Sequence, residues 1–222
     1  MNIVEYANRA VLAIDLAKVL AADLDHCLRA HPFAVFVVPG GTTPGPIFDS
    51  LCAAELDWGR VRVMLSDERW VPENHARSNA KLLKERLFVN RAAAATFRPF
   101  YKAEETPQTA APKLSKALAA RLPISVLLLG MGADMHTASL FPGAKGLATM
   151  LRPDAPLLVP VCVDGQEPRI SFSAAALDGA MAKHLVIYGD DKRAALERAR
   201  ELDPQEAPIA AVLKEMTVHW AE

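Results

Sequence analysis

No uninterrupted apolar stretch in this chain reaches the roughly 18 residues that a helix needs to cross a bilayer, which argues against a helical membrane span. The opening MNIVEYANRAVLAIDLAKVL also lacks the basic-then-apolar layout of a secretory signal, because Glu5 and Asp15 interrupt it. A soluble protein of the cytoplasm is expected. Cysteine is scarce: Cys27, Cys52 and Cys162 show neither the paired spacing of a zinc site nor the even count of a disulfide framework. All three read as small buried hydrophobes. Charge of one sign is lacking too, with 25 Lys and Arg against 26 Asp and Glu for a net charge of −1 at pH 7. The interspersed charges leave no basic field for nucleic acid and no polybasic patch for anionic lipid, so neither is an expected partner and any anion must be recognised locally.

What is present is ordinary globular material, 222 residues of which 51% are hydrophobic and 23% charged. A chain of this length can bury roughly 70% of its unfolded surface around one core. Without an internal repeat, linker or low-complexity segment, residues 1–222 are expected to form a single domain.

Residues 4 to 28 carry Val11, Ile14, Ala17, Val19, Leu20, Leu24 and Leu28 at helical spacing, and His31-Pro32 ends the pattern, which predicts a long opening helix. FAVFVV (33–38) is a short continuous apolar run suited to a strand covered on both faces. Beyond the loop PGGTTPGP come a helix in IFDSLCAAEL, a strand at VRVML (61–65) and a helix at 78–88 with Ser78 as N-cap. Residues 90–112, rich in Ala, Pro, Thr and Glu, read as an excursion. Strands are then expected at 124–130, 157–163, 169–173 and 184–189, with helices at AAALDGAMA and DDKRAALERAR and an edge strand at MTVHWA. Buried strands alternating with helices predict a three-layer α/β/α sandwich, whose ligands sit beyond the carboxyl ends of the strands.

Chemistry concentrates in segments placed just after strands. Gly40-Gly41-Thr42-Thr43-Pro44 joins a buried strand to a helix, where close backbone approach and the helix dipole suit a phosphate. It is neither a P-loop nor a dinucleotide fingerprint, and a plain tight turn capped by Thr42 or Thr43 is the alternative. In SDERWVPENHARSN (66–79), Arg69 can bring a guanidinium beside that loop while Asp67 and Glu68 orient neighbouring hydroxyls or pair with it; a solvated charge cluster is the alternative. GMGADMHTASLFP (130–142) displays His136 two residues after Asp134, which fits a general base with an orienting carboxylate, although a lone histidine can also be structural. No third ligand with usable spacing joins the Asp-x-His pair, so no metal is expected.

Taken together, VVPGGTTPGPIFDSL, SDERWVPENHARSNAKLL and LLLGMGADMHTASLFPG resemble the signature blocks of the 6-phosphogluconolactonase family, within the wider glucosamine-6-phosphate isomerase and lactonase superfamily. The resemblance runs from about residue 33 to the GDDK segment near 192. It implies a Rossmann-like, mostly parallel sheet and hydrolysis of 6-phospho-D-glucono-1,5-lactone to 6-phosphogluconate in the pentose phosphate pathway, with neither metal nor cofactor. Carried over by position, Gly40, Gly41, Thr42 and Thr43 fall on the phosphate loop, Arg69 on a phosphate-contacting arginine, and Asp67 and Asn79 on polar positions bordering the site. His136 falls on the catalytic histidine with Asp134 beside it, and Arg169 and Lys192 on later basic positions that close over the phosphate. The implied partner is a small sugar phosphate, and the implied state a monomer or weak homo-oligomer.

The chain departs from the family pattern at Thr42, where serine is usual, at Pro39, and at Met135, where glycine is usual. The last raises the question whether the loop needs a positive φ, which methionine takes only at a cost. Two rival functions remain: an amino-sugar isomerase or deaminase, whose chemistry wants a carboxylate soon after the histidine where Thr137 to Phe141 supply none, and a non-catalytic sugar-phosphate sensor, for which no DNA-binding segment is attached.

Overall fold

The computed structural model describes residues 1–222. In chain order the elements are β1 (Asn2–Glu5), α1 (Arg9–Ala30), β2 (Ala34–Val38), α2 (Gly45–Leu51), β3 (Val61–Leu65), β4 (Asp67–Arg69), α3 (Asn79–Arg86), β5 (Thr96–Phe97) and α4 (Pro107–Ala119). There follow β6 (Val126–Gly130), α5 (Leu147–Met150), β7 (Leu158–Val161), β8 (Arg169–Phe172), α6 (Ala174–Asp178), β9 (Ala182–Tyr188), α7 (Asp190–Ala199) and β10 (Thr217–Ala221).

Seven strands form one sheet in the order β1-β10-β9-β6-β2-β3-β5, and every pairing in it is parallel. The expected α/β sandwich is therefore present. Because parallel crossovers are right-handed, the connections that run from β1 toward β3 put α1 and α2 on one face, while the connection from β9 to β10 puts α7 on the other. Covered on both faces, β2 is buried at every position, which is why its sequence is an unbroken apolar run. The chain runs from β2 outward to β3 and β5 on one side, and from β6 outward to β9 and β10 on the other, so the direction switches between β2 and β6. Sheets of this kind open a crevice at the carboxyl ends of the two strands flanking such a switch. β4, β8 and β7 form a separate antiparallel sheet, which the sequence reading treated partly as loop.

Several boundaries differ from expectation. The opening segment is a strand, and α1 starts only at Arg9, after Asn8, whose side chain accepts a hydrogen bond from the Val11 N–H at 2.9 Å. Its buried stripe is Leu12, Leu16, Leu20 and Leu24, whereas Val11, Ile14 and Val19 are exposed. Removing one of those leucines to alanine costs about 2–5 kcal/mol in comparable cores. The excursion at 90–112 contains the start of α4, whose Thr106 and Thr109 form a reciprocal capping box. Pro107 sits at its first turn, where a missing N–H costs nothing, and Pro112 lies inside it. β10 is not an edge strand: it lies between β1 and β9. Cys27 and Cys52 are buried as expected, but Cys162 is exposed, since it lies just past the end of β7.

The apolar residues form one continuous buried cluster. One polar chain crosses it: His184 Nε2 meets Asp23 Oδ2 at 2.8 Å, His184 Nδ1 meets His219 Nε2 at 3.0 Å, and His219 Nδ1 meets the Tyr6 hydroxyl at 2.8 Å. No helix is long and apolar enough to cross a membrane.

Candidate active site

The loop after β2 enters the crevice first. Gly41 takes φ +87°, a conformation open to glycine at little cost, and no atom lies within 4 Å of where its Cβ would be. Neither Thr42 nor Thr43 caps α2, whose N-cap position is Pro44 with no side-chain bond, so the capped-turn alternative does not hold.

The second segment is organised by two buried carboxylates. Asp67 accepts from the Ser66 hydroxyl at 3.0 Å and from the Ser139 hydroxyl at 2.6 Å, joining the second segment to the third. Glu68 faces away from the cleft: it accepts from the N–H groups of Arg69, Asn79 and Ala80, each at 2.8 Å, and from the Ser78 hydroxyl at 3.1 Å. It thereby satisfies donors at the start of α3 that would otherwise be orphaned. Burial pushes its carboxyl up against the opposing pull of those hydrogen bonds. The Asn79 amide donates to the Asp67 carbonyl at 2.8 Å, so the turn carrying Arg69 is fixed from both sides.

Arg69 and Arg169 are direct partners in the antiparallel register of β4 and β8. Arg69 donates through Nη1 to the Arg77 carbonyl at 2.8 Å and Arg169 through Nη2 to Gln166 at 2.5 Å, yet the Nε of each is buried without a partner. Burial lowers the Arg169 pKa; Asp67 works against that, and Arg69 and Arg77 with it. Neither arginine nor Lys192 is ion-paired, and Asp67 is the one carboxylate in the lining of the cleft, so three cationic side chains face one acid there.

The third segment leaves β6 in a tight turn: the Gly132 N–H donates to the His136 carbonyl and the Met135 N–H to the Gly132 carbonyl, both at 3.0 Å. Met135 has φ +66°, so the loop does require the left-handed conformation, and methionine bears it. Its carbonyl is anchored from outside by the Ile209 N–H at 3.1 Å. His136 Nδ1 meets Asp134 Oδ1 at 2.5 Å, and the same oxygen accepts from the His136 N–H at 3.2 Å. Burial alone would raise the Asp134 pKa, but the bond to His136 and the nearby imidazole outweigh it and hold the carboxyl below its usual range. An ionised carboxylate only accepts, so the proton lies on Nδ1 and the lone pair of Nε2 is left for the cleft. The backbone N–H groups of Gly132, Met135 and His136 are committed within the turn, so none of the three is free to receive a developing oxyanion.

A Cβ on Gly132 would lie 2.2 Å from His136 Nδ1 and 2.4 Å from Asp134 Oδ1, so the pair forms only above a glycine. Lys192, in the first turn of α7, has its pKa lowered by burial and partly restored by Asp134.

One cleft of about 240 Å³ is lined by Gly40, Gly41, Thr42, Thr43, Asp67, Arg69, Asn79, His136, Arg169 and Lys192. Of the residues singled out from sequence as chemistry-bearing, Glu68 and Asp134 are not in its wall; Asp134 lies against the imidazole. Gly132, Ala138 and Val186 also line the cleft and were not foreseen; the second glycine of GMG was the one available signal. No group of three His, Cys, Asp or Glu side chains is arranged to hold a metal ion.

Residues 7–220 match the family described as glucosamine-6-phosphate isomerases/6-phosphogluconolactonase. A 6-phosphogluconolactonase of Rhizobium meliloti is 38% identical over 97% of this chain and 97% of its own length. One of Pseudomonas putida is 39% identical over 97% and 91%. The crystal structure of a 6-phosphogluconolactonase from Shewanella baltica superposes with a TM-score of 0.95 at 32% identity, covering 100% of this chain and 98% of that one. Sequence match, identity and fold agree: the chain belongs to the glucosamine-6-phosphate isomerase/6-phosphogluconolactonase family.

Proposed function

We propose that this chain hydrolyses 6-phospho-D-glucono-1,5-lactone to 6-phosphogluconate, the lactone step of the pentose phosphate pathway, with His136 as general base. Its relatives' activity supports lactone hydrolysis. One observation carries the residue roles: an anion-suited glycine loop with two incompletely bonded guanidiniums, and an imidazole polarised by Asp134, line the same cleft.

In this reading the loop at 40–43, Arg69, Arg169 and Lys192 hold the phosphate, and the bound phosphate fixes the sugar with C1 near His136. Nε2 takes a proton as water oxygen bonds to C1. Collapse of the tetrahedral intermediate breaks the bond from C1 to the ring oxygen, which receives the proton from His136 and becomes a hydroxyl. Asp134 stabilises the transient imidazolium and keeps Nε2 turned to the cleft. No acid follows His136 through Phe141, which sets the chain apart from the isomerase chemistry. The deciding experiment incubates the purified protein with freshly made lactone and follows acid release against the spontaneous rate. Acceleration abolished in His136→Ala supports the reading, and a rate equal to the spontaneous one for the unaltered protein overturns it.

A further inference from the structure

Phe141 touches two groups that the proposed reaction assigns to opposite ends of the substrate. Its ring centroid lies 4.5 Å from that of His136, with 34° between the planes. The Arg169 guanidinium carbon lies 4.9 Å from the centre of the same ring. The chain brings Phe141 back against the histidine through a short turn, in which Thr137 and Leu140 pair across an isolated bridge and the Leu140 N–H donates to the Thr137 carbonyl at 2.9 Å. Behind it the ring is packed on the core.

Each contact supplies something the hydrogen bonds do not. Asp134 fixes His136 at Nδ1 only, which leaves the imidazole free to tilt about that bond; a flat ring in stacking distance removes the freedom. Gln166 fixes Arg169 at one terminal nitrogen, and the ring face supports the plane of the guanidinium. Aromatic faces also attract cations, and the imidazole becomes one whenever it accepts a proton.

Resting on the reading of His136 and Arg169 given above, we propose that Phe141 is a positioning residue for the reaction: one ring that orients the proton-accepting imidazole and the phosphate-binding guanidinium together.

The test uses the full chain and fresh lactone. Phe141→Leu keeps apolar bulk and removes the aromatic face; Phe141→Met serves the same purpose if the leucine variant does not fold. Either is expected to lower kcat about tenfold and raise KM a few-fold, at roughly unchanged thermal stability. Phe141→Tyr, with the face retained, should recover kcat to within about threefold. Unchanged kcat and KM in the leucine and methionine variants overturn the proposal, as does a tyrosine variant no better than leucine. His136→Ala runs alongside: if it loses its rate while Phe141→Leu does not, only the role of Phe141 fails, and if it keeps its rate, both readings fall.

Discussion

Arg69 and Arg169 stand directly opposite one another across the β4–β8 pairing, each with a buried Nε that has no partner. Like charges paired across strands destabilise a sheet, so an anion between them relieves repulsion and completes their hydrogen bonding. Arg69→Ala should chiefly raise KM, by about 10- to 100-fold on the scale of a charge-assisted hydrogen bond, with kcat much less affected. Steady-state kinetics with fresh lactone check this, and an unaltered KM removes Arg69 from the phosphate site.

Inorganic phosphate should stabilise the protein without substrate, since a ligand that binds only the folded state raises Tm. In Arg169→Leu the rise should shrink or vanish, while the phosphate-free protein should be no less stable than the parent, because one of two facing cations is gone. Thermal denaturation with and without phosphate measures both; an undiminished rise in the variant excludes Arg169 as a ligand.

His136→Ala should lower kcat on the order of 10²- to 10⁴-fold with little change in phosphate affinity. Gly132→Ala should approach the same loss without touching the imidazole, because its Cβ would lie 2.2 Å from His136 Nδ1 and force the Asp134 contact apart. A Gly132→Ala enzyme as fast as the parent would show that the 2.5 Å contact is dispensable.

Stability should fall on acidification below about pH 6.5. Burial, and then the neighbouring His184, push the His219 pKa from 6.5 to about 4, only partly opposed by Asp23. A depressed histidine means that the unfolded chain binds the proton more readily, so the stability present above pH 6.5 is lost as pH drops toward 4. The full difference corresponds to about 3 kcal/mol. Urea unfolding at pH 7.5 and pH 5 should show the decline, and His219→Asn should flatten it; equal stability at both pH values in the parent contradicts the assignment.

The elements that were legible in the sequence are those that local pattern dictates. β2 and β6 are unbroken apolar runs that lead into glycine-containing loops, and those loops had to emerge at strand ends, which is why the sequence points Gly40, Gly41 and His136 toward one end of the sheet. Long-range pairing left no such mark. Nothing near Arg69 announces that Arg169 will face it, because that register is set by β8 folding back a hundred residues later. The sequence points Glu68 toward neighbouring hydroxyls or the Arg69 guanidinium but not toward the start of α3, since its donors at Asn79 and Ala80 are backbone N–H groups with no side-chain signature. Pro107 and Pro112 disguised α4, whose stability comes from its capping box and from Ala110, Ala111 and Leu118 against the core. The sequence posed the question of Met135, but only the backbone could answer it, with φ +66°.

The first strand of the large sheet hydrogen-bonds to no strand but β10, drawn from residues 217–221. Residues 2–5 therefore have an unmatched edge until residues 217–221 are in place, and the β9 edge waits with them. One segment, residues 217–221, thus clasps two parts of the chain that are far from each other in sequence. Loss of residues 217–221 would accordingly loosen β1 and the β9 edge at once, and with them the hydrogen-bonded run from Tyr6 to Asp23 that passes through His219.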